Sequence, residues 1–245
     1  MNRPVSSAFP VTRWSVVAAV AAGGDRAAAR TALDELCRLY WQPLYGFARR
    51  KGFGPEDAED ATQGFLLEVL ETEFLSNADP VLGRLRSFLL NAFSRHLMDI
   101  RRDAGRQKRG GGIEFIPLDF AEAEDRYLAA PAGPDAALQF ESDWATALLE
   151  SSLAKLEAAY VATDRAEIFA ALRPWIGAGG ETTDQAALAG KLGMSHAALR
   201  QSLLRLRERF RRTLREQIAD TLRDPSDSAI DEELRALRAV VTASR

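Results

Sequence analysis

"TTDQAALAGKLGMSHAALRQSLLRLRERFRRTLRE", Thr182 to Glu216, decides the fold. A short helical pattern from about Asp184 to Lys191 is broken at Gly193, and a longer one opens after Ser195, a good N-cap residue. That length and punctuation are those of a helix-turn-helix. On a helical wheel Leu199, Leu203, Leu206 and Phe210 share one stripe. Ala197, Gln201, Arg205 and Glu208 fall opposite, flanked by His196 and Arg200. One face packs and the other is shaped to enter a groove. From Lys191 to Arg215 there are eight bases against one acid, Glu208, in a chain whose net charge is −3. Phosphate contact is the plain use of such a segment, although a solvated arginine-rich helix would show the same pattern.

Outward from this motif the chain reads as helix almost throughout, and the expected fold class is all-α. Helical patterning runs from about Gln139 to Arg173 and breaks at "RPWIGAGGETT". Upstream, Glu114 to Asp143 holds eight acids and one base around "AAPAGPDAA", the composition of a linker. "IEFIPL", Ile113 to Leu118, is the one segment with strand character. Gly24-Asp25 reads as a helix end and a new cap, Pro43 as a bend, and "GFGPEDAED" as a turn opening a helix at Pro55.

The stretch "RSFLLNAFSRHLMDIRRDAGRQKRGGG", Arg86 to Gly112, joins an apolar helix to a basic end. Its wheel gathers Leu85, Leu89, Ala92, His96 and Ile100, with Phe88 and Phe93 at the edges and Ser87, Asn91, Ser94, Met98 and Arg101 outside. Six bases between Arg95 and Arg109 face two acids, Asp99 and Asp103. Bases beside aromatics and amides suit single-stranded nucleic acid, while aromatics at helical spacing also suit a core. In "PEDAEDATQGFLLEVLE" the acids Asp57, Asp60, Glu68 and Glu71 lie opposite Ala58, Thr62, Phe65, Leu66 and Val69, as on any solvated amphipathic helix.

With 245 residues, 47% hydrophobic and 27% charged, the chain is long enough for one large or two small domains. One cysteine, Cys37, excludes a disulfide framework and suits a reducing cytoplasm. His96 and His196 are a hundred residues apart, without metal-ligand spacing. No cofactor or metal is expected. "VVAAVAAGG" has the look of a signal-peptide core, but "DRAAARTALDELCRLYWQPLY" continues as amphipathic helix behind it. No other stretch approaches a membrane span. Neither a nucleophile with its base nor a phosphate loop is present, so an enzyme is not expected.

Three segments together resemble the sigma-70 family of bacterial RNA polymerase initiation factors, in its extracytoplasmic-function (ECF) branch. They are "TRWSVVAAVAAGGDRAAARTALDELCRLYWQPLYGFARRKG", "DAEDATQGFLLEVL" and "GRLRSFLLNAFSRHLMDIRRDAGRQKRGGG". The resemblance covers residues 9–112, with the helix-turn-helix of 139–217 matching the family's second domain. Residues 113–138 then form an acidic linker, and 218–245 a tail helix that folds back on the second domain or meets a partner. Asp57, Asp60 and Gln63 become the expected contacts to core RNA polymerase. Phe88, Asn91, Arg95, His96, Arg101 and Arg102 become the residues nearest the promoter minus-10 element. Ser195 to Arg207 becomes the helix that reads the minus-35 element, with His196, Ala197, Arg200, Gln201, Arg205 and Arg207 facing DNA. Histidine stands at 96 where the ECF motif commonly has asparagine, and it lies on the apolar stripe. Core polymerase and promoter DNA are the implied partners, with an anti-sigma or other regulatory protein a further one. A stand-alone helix-turn-helix regulator is the alternative.

Overall fold

The computed structural model describes residues 26–71, 84–103, 118–130, 135–177, 182–222 and 225–243. The "TRWS" start, the signal-like run, Gly24-Asp25, the "KRGGG" end and all of "IEFIPL" but Leu118 lie outside them. The described residues form α-helices α1 (Arg26–Arg50), α2 (Pro55–Glu71), α3 (Leu85–Asp103), α4 (Phe120–Ala129), α5 (Ala136–Val161), α6 (Ala166–Leu172), α7 (Thr182–Lys191), α8 (His196–Thr221) and α9 (Asp227–Ala243). A short 3-10 turn, Arg173–Trp175, follows α6. Among the described residues there is no strand, only one isolated bridge between Arg84 and Leu222. The chain is all-α.

Two compact units divide it: residues up to Ala147 together with Ile218 onward, and Leu148–Gln217. In the first unit α1, α2 and α3 pack on one another around Tyr40, Leu44, Phe47, Phe65, Leu89 and Phe93, all buried. Aromatic edges interlock there, with Phe65 5.0 Å from Phe93 and Phe47 6.2 Å from Phe93, centroid to centroid. The start of α5 adds Phe140 and Trp144 to the same core. Pro43 lies inside α1, and the helix runs through the position where a bend was expected.

Gly52 (φ 87°) ends α1 in a left-handed conformation. The Gly52 N–H donates to Arg49 O and the Phe53 N–H to Ala48 O, which is a Schellman cap. The acidic stretch is not irregular throughout. Asp119 accepts from the Glu122 N–H at 3.0 Å and opens α4, which packs against α1. The tail, expected on the second domain or on a partner, belongs to the first unit as α9. Ser226 caps it, Ile230, Glu233 and Leu237 are buried, and the Glu233 carboxylate pairs with Arg84 and Arg86.

The second unit closes on Leu156, Tyr160, Phe169, Leu172, Ala189, Leu199, Leu203 and Leu206, with Trp175, Leu188 and Phe210 packed at its edge. The stripe expected on the long helix is therefore its packed face. A second Schellman cap forms at Gly193 (φ 61°), where the Gly193 N–H donates to Gly190 O and the Met194 N–H to Ala189 O. Ser195 then caps α8 by accepting from the Ala198 N–H at 3.2 Å. Only glycine adopts the left-handed turn without a steric cost, so these two residues set the sharp entry of α8.

Candidate functional site

Three faces carry the residues singled out from the sequence. On α2 the buried positions are Ala58, Ala61, Thr62, Phe65, Leu66 and Val69, and the Thr62 hydroxyl satisfies itself on Ala58 O at 2.7 Å. That arc leaves Asp57 and Asp60 exposed, beside Glu56 in the first turn. Carboxylates there complement the positive end of the helix dipole. Gln63 is half-buried and donates its amide to Glu59 Oε1 at 3.2 Å. The face is acidic, solvent-facing and supported from below by core.

On α3 the buried arc is wider than the wheel suggested. Leu85, Phe88, Leu89, Ala92, Phe93 and Leu97 are all buried, because both α1 and α2 pack on this helix. Phe88, expected near DNA, is only 6% exposed and has no ring face for a base. It is a core residue, and the edge of the stripe belonged to packing. His96 is also largely taken up. Its ring stacks on Phe93 at 6.3 Å and tilts against Phe65, and Nδ1 lies 3.3 Å from Glu68 Oε2. Arg101 lies at the helix end with its guanidinium 4.9 Å from the Phe53 ring centre, donating to Lys51 O. Arg102 is exposed and pairs with Asp99 at 2.7 Å. Asn91 and Arg95 are exposed, as is Met98. Asn91, Arg95, Met98 and Arg102 stand at i, i+4, i+7 and i+11, so an amide, two guanidiniums and a thioether form one ridge.

On α8 the exposed side holds Ala197, Arg200, Gln201 and Arg205. His196 is half-buried with Nε2 turned inward, which leaves little of its ring for a ligand. Arg207 does not join the exposed set. Its guanidinium donates to Trp175 O at 2.8 Å and 3.3 Å, tying the helix to the 3-10 turn. Expecting it to face DNA overlooked a carbonyl 32 residues away in sequence. One residue was missed in the other direction. Leu204 is 67% exposed, one turn beyond Gln201 on the polar side. The same wheel places it there, on the side of Ala197, Gln201 and Glu208. With Ala197 it offers the apolar contact that a thymine methyl takes in the major groove.

A further cluster had no signal in the sequence. The Glu124 carboxylate of α4 accepts from Arg49 Nε and Nη2, each at 2.8 Å, and from the Tyr45 hydroxyl at 2.6 Å. Bonding to Arg49 first, and then to Tyr45, holds the Glu124 carboxyl below the usual glutamate value, against the effect of burial. Burial and the Glu124 carboxylate push the Tyr45 hydroxyl upward. Beside the cluster lies a cleft of about 350 Å³ lined by Gln42, Gly46, Arg50, Tyr127 and Asp143 among others, where burial raises the Asp143 carboxyl. Among the described residues no group of side chains is arranged to hold a metal ion, and no helix is long and apolar enough to cross a membrane.

A family model described as ECF sigma factor matches residues 15–216. No curated protein matches the chain, and no solved structure does.

Proposed function

We propose that, because this chain belongs to the ECF sigma factor family, it carries core RNA polymerase to promoters and stabilises the opened strand. The family's role in transcription initiation is the premise, and three faces supply the parts. Asp57 and Asp60 on α2, with Gln63 beside them, form the acidic docking face for core polymerase. The α3 ridge receives minus-10 bases, and the exposed side of α8, centred on Arg200, Gln201, Leu204 and Arg205, reads minus-35 duplex. The protein acts in the cytoplasm and by binding alone, with no covalent step.

The observation that carries this reading is the ridge Asn91, Arg95, Met98, Arg102, exposed along one line of a helix whose other side is core. An amide can pair with a base edge, a thioether can lie against a base face, and guanidiniums can follow the backbone. Extruding a base costs a few kcal/mol, which such contacts offset. His96 contributes by holding the ridge in place, since Phe93 and Glu68 occupy most of its ring.

The test is strand opening. Replacing Asn91 and Arg95 together by alanine should leave core polymerase binding and minus-35 duplex binding nearly unchanged. Permanganate reactivity of minus-10 thymines should fall to background, and pre-opened bubble templates should restore part of the transcription. Normal reactivity in the double variant removes the ridge from the melting site. No reactivity with the unaltered protein and core polymerase on its own promoters overturns the initiation-factor reading in favour of a regulator that binds duplex alone.

A further inference from the structure

The acidic segment between the two family-like regions contains α4, whose inward face is Phe120, Ala123, Glu124 and Tyr127, spaced at i, i+3, i+4 and i+7. The Phe120 ring meets Trp41 edge-on at 5.3 Å and Tyr45 at 5.6 Å. The Tyr127 ring sits under the Arg49 guanidinium at 4.7 Å. Four contacts therefore fix the helix over an aromatic and basic face of α1, and the central one is the Glu124 clasp described above.

Its hold is narrow. Of ten residues only Ala123 is buried, and Leu128 is 67% exposed. The cleft beside Tyr127 leaves the seam with α1 partly unfilled. An isolated helix of this length is not stable in water, since nucleation is costly and helices under about 12 residues are marginal. Once the clasp opens, the segment must lose its helix as it leaves, so docked and undocked are two discrete states.

Arg49 gives the device a reach beyond α4. While Nε and Nη2 hold Glu124, Nη1 donates to Phe53 O at 2.6 Å, in the turn that leads into α2. The same turn is held from its other side by Arg101, which donates to Lys51 O and lies over the Phe53 ring. One guanidinium thus joins the α4 clasp to the turn that presents Asp57 and Asp60. Beside it on α1, the Arg50 guanidinium lies 5.6 Å from the Tyr127 ring centre.

We propose that α4 is a releasable strap over α1, and that docking of core polymerase on the α2 face draws it off. This rests on the polymerase reading of α2 given above. With the strap in place, Arg49 is divided between Glu124 and the turn. With it gone, Trp41, Tyr45 and Arg49 are uncovered and the acidic segment is at liberty to follow another path.

The experiment is hydrogen exchange of the full chain, alone and with stoichiometric cognate core polymerase. Binding should slow exchange in α2, Pro55 to Glu71, and speed it at least tenfold in the α4 amides from Glu122 to Ala130. Glu124→Ala should produce the fast α4 exchange without polymerase, leave α1 to α3 protected, and lower the Kd for core polymerase several-fold, because the docked state no longer competes. Protection gained in α2 while α4 stays protected overturns the strap and leaves the docking face standing. No protection gained anywhere overturns the polymerase reading itself. Slow α4 exchange in Glu124→Ala overturns the clasp whatever polymerase does.

Discussion

Two helices of the first unit, α4 and α9, are attached by the same chemistry and to different effect. Each brings a glutamate to an arginine of the central helices. Glu124 keeps 22% of its side chain in contact with solvent and meets Arg49 from α1. Glu233 is 1% exposed and meets Arg86, itself buried, together with Arg84 at 3.1 Å. Arg86 also donates to Glu141 Oε2 at 2.5 Å and stacks over Trp144 at 4.5 Å. Burial pulls Arg86 down from the ordinary arginine value, and the Glu141 carboxylate opposes that shift. A pair that keeps contact with solvent is opened at smaller cost than a fully buried one, whose remaining charge stays out of water with less to balance it when one partner is lost. On this physics α9 is part of the fold and α4 is an attachment to it.

The strongest way to break the contrast is at α9. Glu233→Ala should destabilise the first unit by about 3–5 kcal/mol, read from denaturant unfolding of the full chain, because Arg86 stays buried with Glu141 alone. Replacing Arg86 by methionine and Glu233 by leucine together should recover most of that loss, since the two charges that lose a partner, Arg84 and Glu141, both reach solvent. A small effect of the single change would mean that α9 is no better anchored than α4.

A smaller effect is expected at Glu124→Ala, about 1 kcal/mol or less of global stability, with the loss confined to α4 protection. If unfolding shifts as far as for Glu233→Ala, the two helices do not differ in kind.

The smallest effect is with pH. Glu124 is held below its ordinary value, so its contribution is present at neutral pH and fades as pH falls through that lowered value. Asp143, raised by burial, acts with the opposite sign: the unit gains stability as pH falls through the raised value. Subtracting the pH profile of Glu124→Ala from that of the unaltered chain isolates the clasp. A flat difference between neutral and acid pH would mean that Glu124 is not ion-paired in solution.

What the sequence made legible follows the range of the interactions involved. Gly193 and Ser195 act on backbone groups within a few residues, and both caps were readable as local chemistry. The packed and solvated sides of α2 were likewise written in one turn-to-turn pattern. Phe88 was harder, because the width of a buried arc depends on how many neighbours cover the helix, and α3 has two. Glu233 carried no local sign of burial, because its partner Arg86 is far away in sequence. Arg49 and Glu124 stand 75 residues apart, so nothing in the acidic stretch announced a docked helix.

Arg207 has a consequence in the language of ions. Each phosphate that a cationic side chain neutralises on duplex DNA releases condensed counterions and steepens the salt dependence of binding by about 0.9 in log–log slope. With Nε and Nη2 given to Trp175 O, the Arg207 guanidinium adds rigidity to the second unit and is held away from the bidentate phosphate contact that an exposed arginine makes. If α8 reads duplex as proposed, the salt dependence of that binding is therefore shallower than a tally of its arginines implies.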